Sequence, residues 1–297
     1  MPDRSGSFNP RLIYVVVFVV ILIGLALPGT LWGGPIDDHA RRAYQAVLDV
    51  RERGLVYVGL DYDSKRWPEL EAQALTVFRH ALSRRLRVVV VGPRLTVESF
   101  AGRLERLPGG PPEGYGDEYA LVAHGLDLAA GNPASAVRGL WGAAAGKDYR
   151  GRPFEELPLL ARFDGPARVD LAAVFVYDGT STPDPDYVGK YLAVFESMGR
   201  PVMAGVVGHA GATAYLERLA GVLIGYRGAG DYERLAGVTG AGSRGAMSLN
   251  IGLGLILVLI VVTFLVGWRR RLAERLETIR RRRMQGRQPR EGNSPPS

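Results

Sequence analysis

Two carboxylates stand one residue apart at the end of an apolar run. The stretch is LVYVGLDYDS, residues 55–64, and Asp61 and Asp63 are its acids. Acids at this spacing could hold a hard divalent cation, or serve as general acid and base. The run before them reads as a buried strand, which puts both at a strand's carboxyl end. Ligands of open α/β sheets bind beyond that edge. Other expected strand ends supply Asp178 and two imidazoles, His124 and His209. The candidate catalytic set is therefore Asp61, Asp63, Asp178, His124 and His209, with Asp61 and Asp63 as the candidate metal ligands. A structural reading competes with it. Strands end in Asp and Gly wherever the chain turns, and Asp63 or Ser64 can cap a helix beginning at Pro68. We take the pair first as the end of a strand and the start of a helix.

Each fuller catalytic motif fails on a particular residue. D-x-D after a strand also opens the haloacid-dehalogenase phosphatase signature, but Lys65 stands where a small Thr or Val is needed. The later acidic pair is missing too, because Asp178 is followed by Gly179. Gly240, Gly242 and Gly245 fit G-x-G-x-x-G, yet a dinucleotide fingerprint must join a strand to its helix. This match precedes a long apolar segment, so it reads as a flexible tether. Ser64, Ser135 and Ser181 lack a G-x-S-x-G setting. His80 falls beside the apolar stripe of a helix and reads as a packed or surface histidine rather than a ligand. No cofactor is expected, and a divalent cation is the one ligand to test. The chain has no Cys, which removes disulfides, thiolate metal sites and cysteine nucleophiles.

The elements that would position these residues alternate between strand and helix. Apolar runs at Gly54–Asp61, Arg87–Val91, Ala120–His124, Val169–Tyr177 and Pro201–Val207 read as buried strands, with a short edge strand at 222–225. Amphipathic spacing predicts helices at Pro68–Leu82, Thr96–Leu107, Pro133–Ala145, from Asp184-Pro185 onward, and at Ala212–Ala220. Residues 231–235 read as a last helical turn, and 147–160 as a long irregular connection. Continuous apolar strands between such helices predict a three-layer α/β domain with a mostly parallel sheet, Rossmann-like or flavodoxin-like. Tyr115, Tyr119 and Tyr149 fall in irregular segments, where aromatic residues could form a contact surface.

Two uncharged segments flank this domain. Leu12–Trp32 and Leu249–Trp268 carry no charge and have the length of a bilayer span. A cleavable signal peptide competes for the first, but the run is long for one and lacks a clear cleavage site. The formal charge of +7 is concentrated in the tail. Residues 269–297 hold ten Arg against Glu274, Glu277 and Glu291, which by themselves make +7. The middle is nearly neutral, with no electrostatic footprint for nucleic acid. The positive-inside rule places that tail in the cytoplasm. The expected plan is a cytoplasmic N-terminus at 1–11, a span at 12–32, an extracytoplasmic domain at 35–246, a span at 249–268 and a basic tail at 269–297, disordered after about 285.

LDYDS (60–64), KDYRGRPFEELP (147–158) and GVLIGYRGAGDYERLAG (221–237) resemble an uncharacterised prokaryotic family of two-span membrane proteins. The resemblance runs along essentially the whole chain. It implies a Rossmann-like domain between two anchors and carries no mechanism. The leading expectation is a ligand-sensing or assembly module without catalysis, in contact with the lipid bilayer. Self-association or other membrane proteins are the expected further partners. The alternatives are a metal-dependent, membrane-anchored hydrolase or transferase using Asp61 and Asp63, and a subunit of a larger membrane complex.

Overall fold

The computed structural model describes residues 18–19, 35–62, 68–107, 110–124, 137, 146–161, 166–177, 186–238 and 240–285. The chain divides into two units, 25–247 and a second formed by 1–24 with 248–297.

The first unit begins with helix α1, Asp38–Leu48. Asp37 caps it by accepting the His39 N–H at 2.8 Å. Ala40, Ala43 and Val47 recur at helical spacing and are its buried face. Strand β1 (Leu55–Asp61) leads to α2 (Pro68–Ser83), β2 (Arg87–Pro93), α3 (Arg94–Glu105) and β3 (Tyr119–His124). A single turn, α4 (Pro158–Ala161), precedes β4 (Val169–Val176) and α5 (Tyr187–Glu196). Strands β5 (Val202–Val206) and β6 (Gly221–Ile224) follow, then α6 (Gly225–Ala236) and the 45-residue α7 (Ala241–Gln285).

All six strands are parallel, in the order β3-β2-β1-β4-β5-β6. The expected three-layer Rossmann-like α/β fold is therefore present. β1 shows why its sequence forms such a strand. Val56, Val58 and Leu60 enter one core with α1, α2, α3 and Tyr232 of α6. Leu55 and Tyr57 enter the opposite core with α5. Period-2 alternation thus buries both faces, and the sequence reads as a continuous apolar run. Each fully buried Val, Leu or Phe contributes roughly 1.5–3 kcal/mol of transfer free energy. Phe78 packs edge-on against Phe100 and Tyr119, at centroid distances of 5.5 and 5.4 Å. One glycine sets how closely a helix meets the sheet. A Cβ on Gly221 would lie 2.1 Å from the backbone nitrogen of Ala43, so β6 can carry α1 only without a side chain there.

Several expectations are corrected. Residues 212–220 form a single 3-10 turn at Thr213–Tyr215 followed by irregular turns rather than a helix, with Tyr215 N–H bonded to Ala212 O and Arg218 N–H to Tyr215 O, three residues back. Residues 231–235 belong to a three-turn helix, α6. The connection 147–160 contains turns that line the sheet edge, with Tyr149 N–H bonded to Leu121 O of β3 at 3.1 Å. Asp186 caps α5 through the Gly189 N–H at 3.0 Å; Asp184 and Pro185 lie outside the described residues. The helix expected at 133–145 lies outside them too, except Val137.

The segment 12–32 lies outside the described residues apart from Phe18 and Val19. Among the described residues, no helix is long and apolar enough to cross a membrane. The stretch 249–268 lies within α7.

Candidate functional site

The strand order reverses between β1 and β4, because β2 and β3 extend to one side and β5 and β6 to the other. In doubly wound sheets this switch point opens a crevice at the carboxyl ends. Asp61 pairs with Val176 in register there, and its carbonyl accepts the Tyr177 N–H at 3.1 Å. The half-buried Asp61 side chain accepts a short hydrogen bond from the Tyr191 hydroxyl of α5. Gly59 makes room for it, since a Cβ there would meet the Tyr191 hydroxyl at 3.3 Å. Burial, and then the Asp61 charge, push the Tyr191 hydroxyl well above the usual phenol range. Tyr57 is raised for the same two reasons. Both phenols therefore stay protonated near neutral pH, and Tyr191 stays a donor to Asp61. The acid is a strand-ending carboxylate fastened to the helix that covers it.

The two described histidines of the predicted set fall on opposite sides of β1 in the sheet order. Asp63 and Asp178 lie outside the described residues. His124 is the last residue of β3, and His209 sits exposed in a 3-10 turn after β5. β3 and β5 each lie two places from β1, a separation of ~10 Å at ordinary strand spacing. The His209 carbonyl accepts from Ala212 N–H at 3.2 Å and Thr213 Oγ1 at 2.6 Å. Among the described residues, no group of three or more His, Cys, Asp or Glu could hold a metal ion.

The densest buried polar cluster lies on α6, where sequence reasoning placed only a helical turn. Asp231, Tyr232 and Glu233 are consecutive and wholly buried, and each faces a different element. Asp231 accepts the backbone N–H of Asp37, at the head of α1, at 3.1 Å. Arg227 and Arg234 approach its carboxylate at 3.8 and 3.6 Å. The Tyr232 hydroxyl lies 2.8 Å from His80 Nδ1 of α2, and His80 stacks on Tyr44 of α1 at 4.8 Å. Burial, and then Arg84, lower the His80 pKa to about 4. Of the packed and surface positions open to this histidine, the geometry gives the packed one.

Glu233 reaches the start of α7. Its Oε1 accepts the Gly242 N–H at 2.9 Å, and its Oε2 accepts Gly240 N–H at 3.0 Å and Ser243 N–H at 2.8 Å. Ser243 Oγ adds a short bond to Oε2. Thr76 Oγ1 stands 3.1 Å from Oε1 and 2.8 Å from Ala72 O, sharing one proton between them. The orphan N–H groups of a helix start are thereby satisfied by a side chain from the preceding helix. The glycine-rich turn is accordingly a packed helix start and not the expected flexible tether. The signal available in sequence was D-Y-E set between two glycine-rich stretches, but acids on a helix default to solvent.

A third cluster tidies the sheet edge. Asp148 accepts from Tyr115 at 2.8 Å, from the Arg150 and Arg152 N–H groups at 2.9 and 2.8 Å, and from Arg152 Nε at 3.0 Å. Burial raises its pKa, but these bonds and the Arg152 charge outweigh that, for a net lowering. The Arg150 and Arg152 guanidiniums lie 4.7 and 4.4 Å from the Tyr115 ring centroid. The KDYRGRP stretch is therefore a built edge structure, with Tyr115 and Tyr149 in it. Compared with protein-family models, curated proteins and solved structures, the chain matches none.

Proposed function

We propose that this chain is a two-tether membrane protein whose α/β unit acts outside the cytoplasm as a ligand-sensing or assembly module, without catalysis. One observation carries the reading: α6 holds both places where the chain enters and leaves the α/β unit. Asp231 takes the Asp37 N–H, and Glu233 takes the first N–H groups of α7. These two acids are separated by only ~3 Å of helical rise. A domain tied at both ends on one helix suits two apolar segments leading to one membrane face.

Chemistry beyond that helix supports the tethers. Leu249–Trp268 is 20 uncharged residues long within α7, about 30 Å as a helix and the thickness of a hydrocarbon core. Leu249, Ile256, Ile260, Phe264 and Trp268 are exposed on it, a set that lipid would cover at no cost. The arginines after Trp268 favour a cytoplasmic tail. Asp61, the described member of the acid pair, is committed to Tyr191, which favours a structural strand end over a metal ligand. The switch-point crevice remains the place for a ligand.

The test uses the full chain in mild detergent, offered aryl phosphates and aryl glycosides with Mg²⁺ or Mn²⁺. The reading expects no turnover above that of Asp61→Asn. Turnover that Asp61→Asn abolishes would replace it with the metal-dependent hydrolase. Stoichiometric co-purification with other membrane proteins would instead select the complex subunit.

A further inference from the structure

The G-x-G-x-x-G at residues 240–245 opens a helix without following a strand, and each of its glycines has a steric reason. A Cβ on Gly240 would lie 2.2 Å from Glu233 Oε1. One on Gly242 would lie 2.4 Å from the Ala229 Cβ, and one on Gly245 2.3 Å from the Tyr226 ring. In dinucleotide sites a turn of this kind lets backbone N–H groups at a helix N-terminus close on a phosphate. Here the same kind of groups close on a carboxylate that is itself wholly buried. The match is to two oxygens: one serves Gly242 N–H, the other Gly240 N–H and both donors of Ser243.

We propose that residues 240–243, with Thr76, form a built oxyanion site that the chain fills with its own Glu233, and that a free monocarboxylate such as formate or acetate takes the same place when the Glu233 side chain is removed. Three observations converge. The N–H donors are fixed by the first turn of α7. Glycine spacing keeps the walls clear of side chains. The occupant arrives from a different helix, so the bond set is a contact between elements and not a local capping box. The donors are divided between two oxygens, which matches the two acceptor atoms of a carboxylate rather than the single centre of a halide. The start of α7 is in this way held to α6 by a side chain of α6, an internal latch. This inference does not depend on the membrane reading.

The test compares thermal unfolding of the full chain in mild detergent for wild type, Glu233→Ala and Val58→Ala. Val58 is fully buried in the sheet, so its truncation lowers stability without removing an anion. Each is measured in sodium formate, sodium acetate and sodium chloride at equal ionic strength. Glu233→Ala is expected to melt roughly 5 °C or more below wild type in chloride. Formate should restore at least half of that loss and acetate less, because its methyl needs room. Val58→Ala and wild type should show no formate effect beyond chloride. Adding Ser243→Ala to Glu233→Ala should shrink the formate rescue, by removing one donor. If Glu233→Ala shows no cooperative transition in chloride, its reappearance in formate supports the site. No transition in either salt overturns it. Equal melting of Glu233→Ala and wild type overturns it too, as does a formate effect of the same size in Val58→Ala.

Discussion

Removing the Tyr191 hydroxyl separates a structural Asp61 from a functional one. Tyr191→Phe keeps the ring, which is buried against Tyr57 at a centroid distance of 6.3 Å, so no cavity opens. What is lost is a hydrogen bond to a half-buried carboxylate, and such bonds contribute about 1.5–3 kcal/mol. Asp61→Ala removes that acceptor instead and leaves the buried Tyr191 hydroxyl with Tyr57 alone, at a cost of about 1–3 kcal/mol. The residues touch, so the losses must not add. The coupling energy of the double-mutant cycle should be about 1.5–3 kcal/mol. In a unit of this size each kcal/mol lowers the melting temperature by about 2–4 °C, which puts Tyr191→Phe roughly 3–12 °C below wild type. Urea and thermal unfolding of the four proteins give the numbers. Single losses that add to within about 0.5 kcal/mol would refute the reasoning, because Asp61 would then not be spent on Tyr191.

Two further perturbations probe the scaffold. His80 is neutral in the fold, with a pKa lowered to about 4. Its unfolded value is about 6.5, so its contribution is complete above that pH and is lost as pH falls toward 4. The melting temperature of wild type should drop over this window, and that of His80→Gln should drop less. Glycines at two positions should respond in opposite directions. Gly221→Ala drives a methyl into the backbone of Ala43 and should destabilise by about 3 kcal/mol or more, beyond ordinary overpacking. Gly102 lies inside α3 with open space around it, so Gly102→Ala should stabilise by about 0.5–1 kcal/mol. Denaturant midpoints of the two variants check both signs.

The strands were legible because burial on both faces leaves an unbroken apolar run, as in RVVVV and VDLAAVFV. Their order was not, since it depends on which crossovers pack, and the switch point beside Asp61 appears only with topology. Helix α1 escaped notice although its signals are plain: Asp37 as cap and Ala40, Ala43 and Val47 at helical spacing. The 212–220 segment misled because its apolar spacing suits a helix, while the N–H groups of Tyr215 and Arg218 bond to residues three back. The cluster on α6 was hidden for a physical reason. Asp231 and Glu233 read as solvated charges until Asp37, far away in sequence, and the start of the next helix at 240–243 are seen to donate to them. Satisfaction of a buried acid from another element has no pattern within its own helix.

The claim that both ends of the α/β unit lead into one membrane is tested most directly by cysteine labelling, for which the natural absence of Cys gives a clean background. Single cysteines are placed at Ser5, at the exposed Asp117 and at Ser294, and intact cells are treated with a membrane-impermeant maleimide. The account predicts that Asp117→Cys is labelled at once, while Ser5→Cys and Ser294→Cys react only after the membrane is opened. Labelling of Ser294→Cys from outside, or protection of Asp117→Cys until permeabilisation, would contradict it.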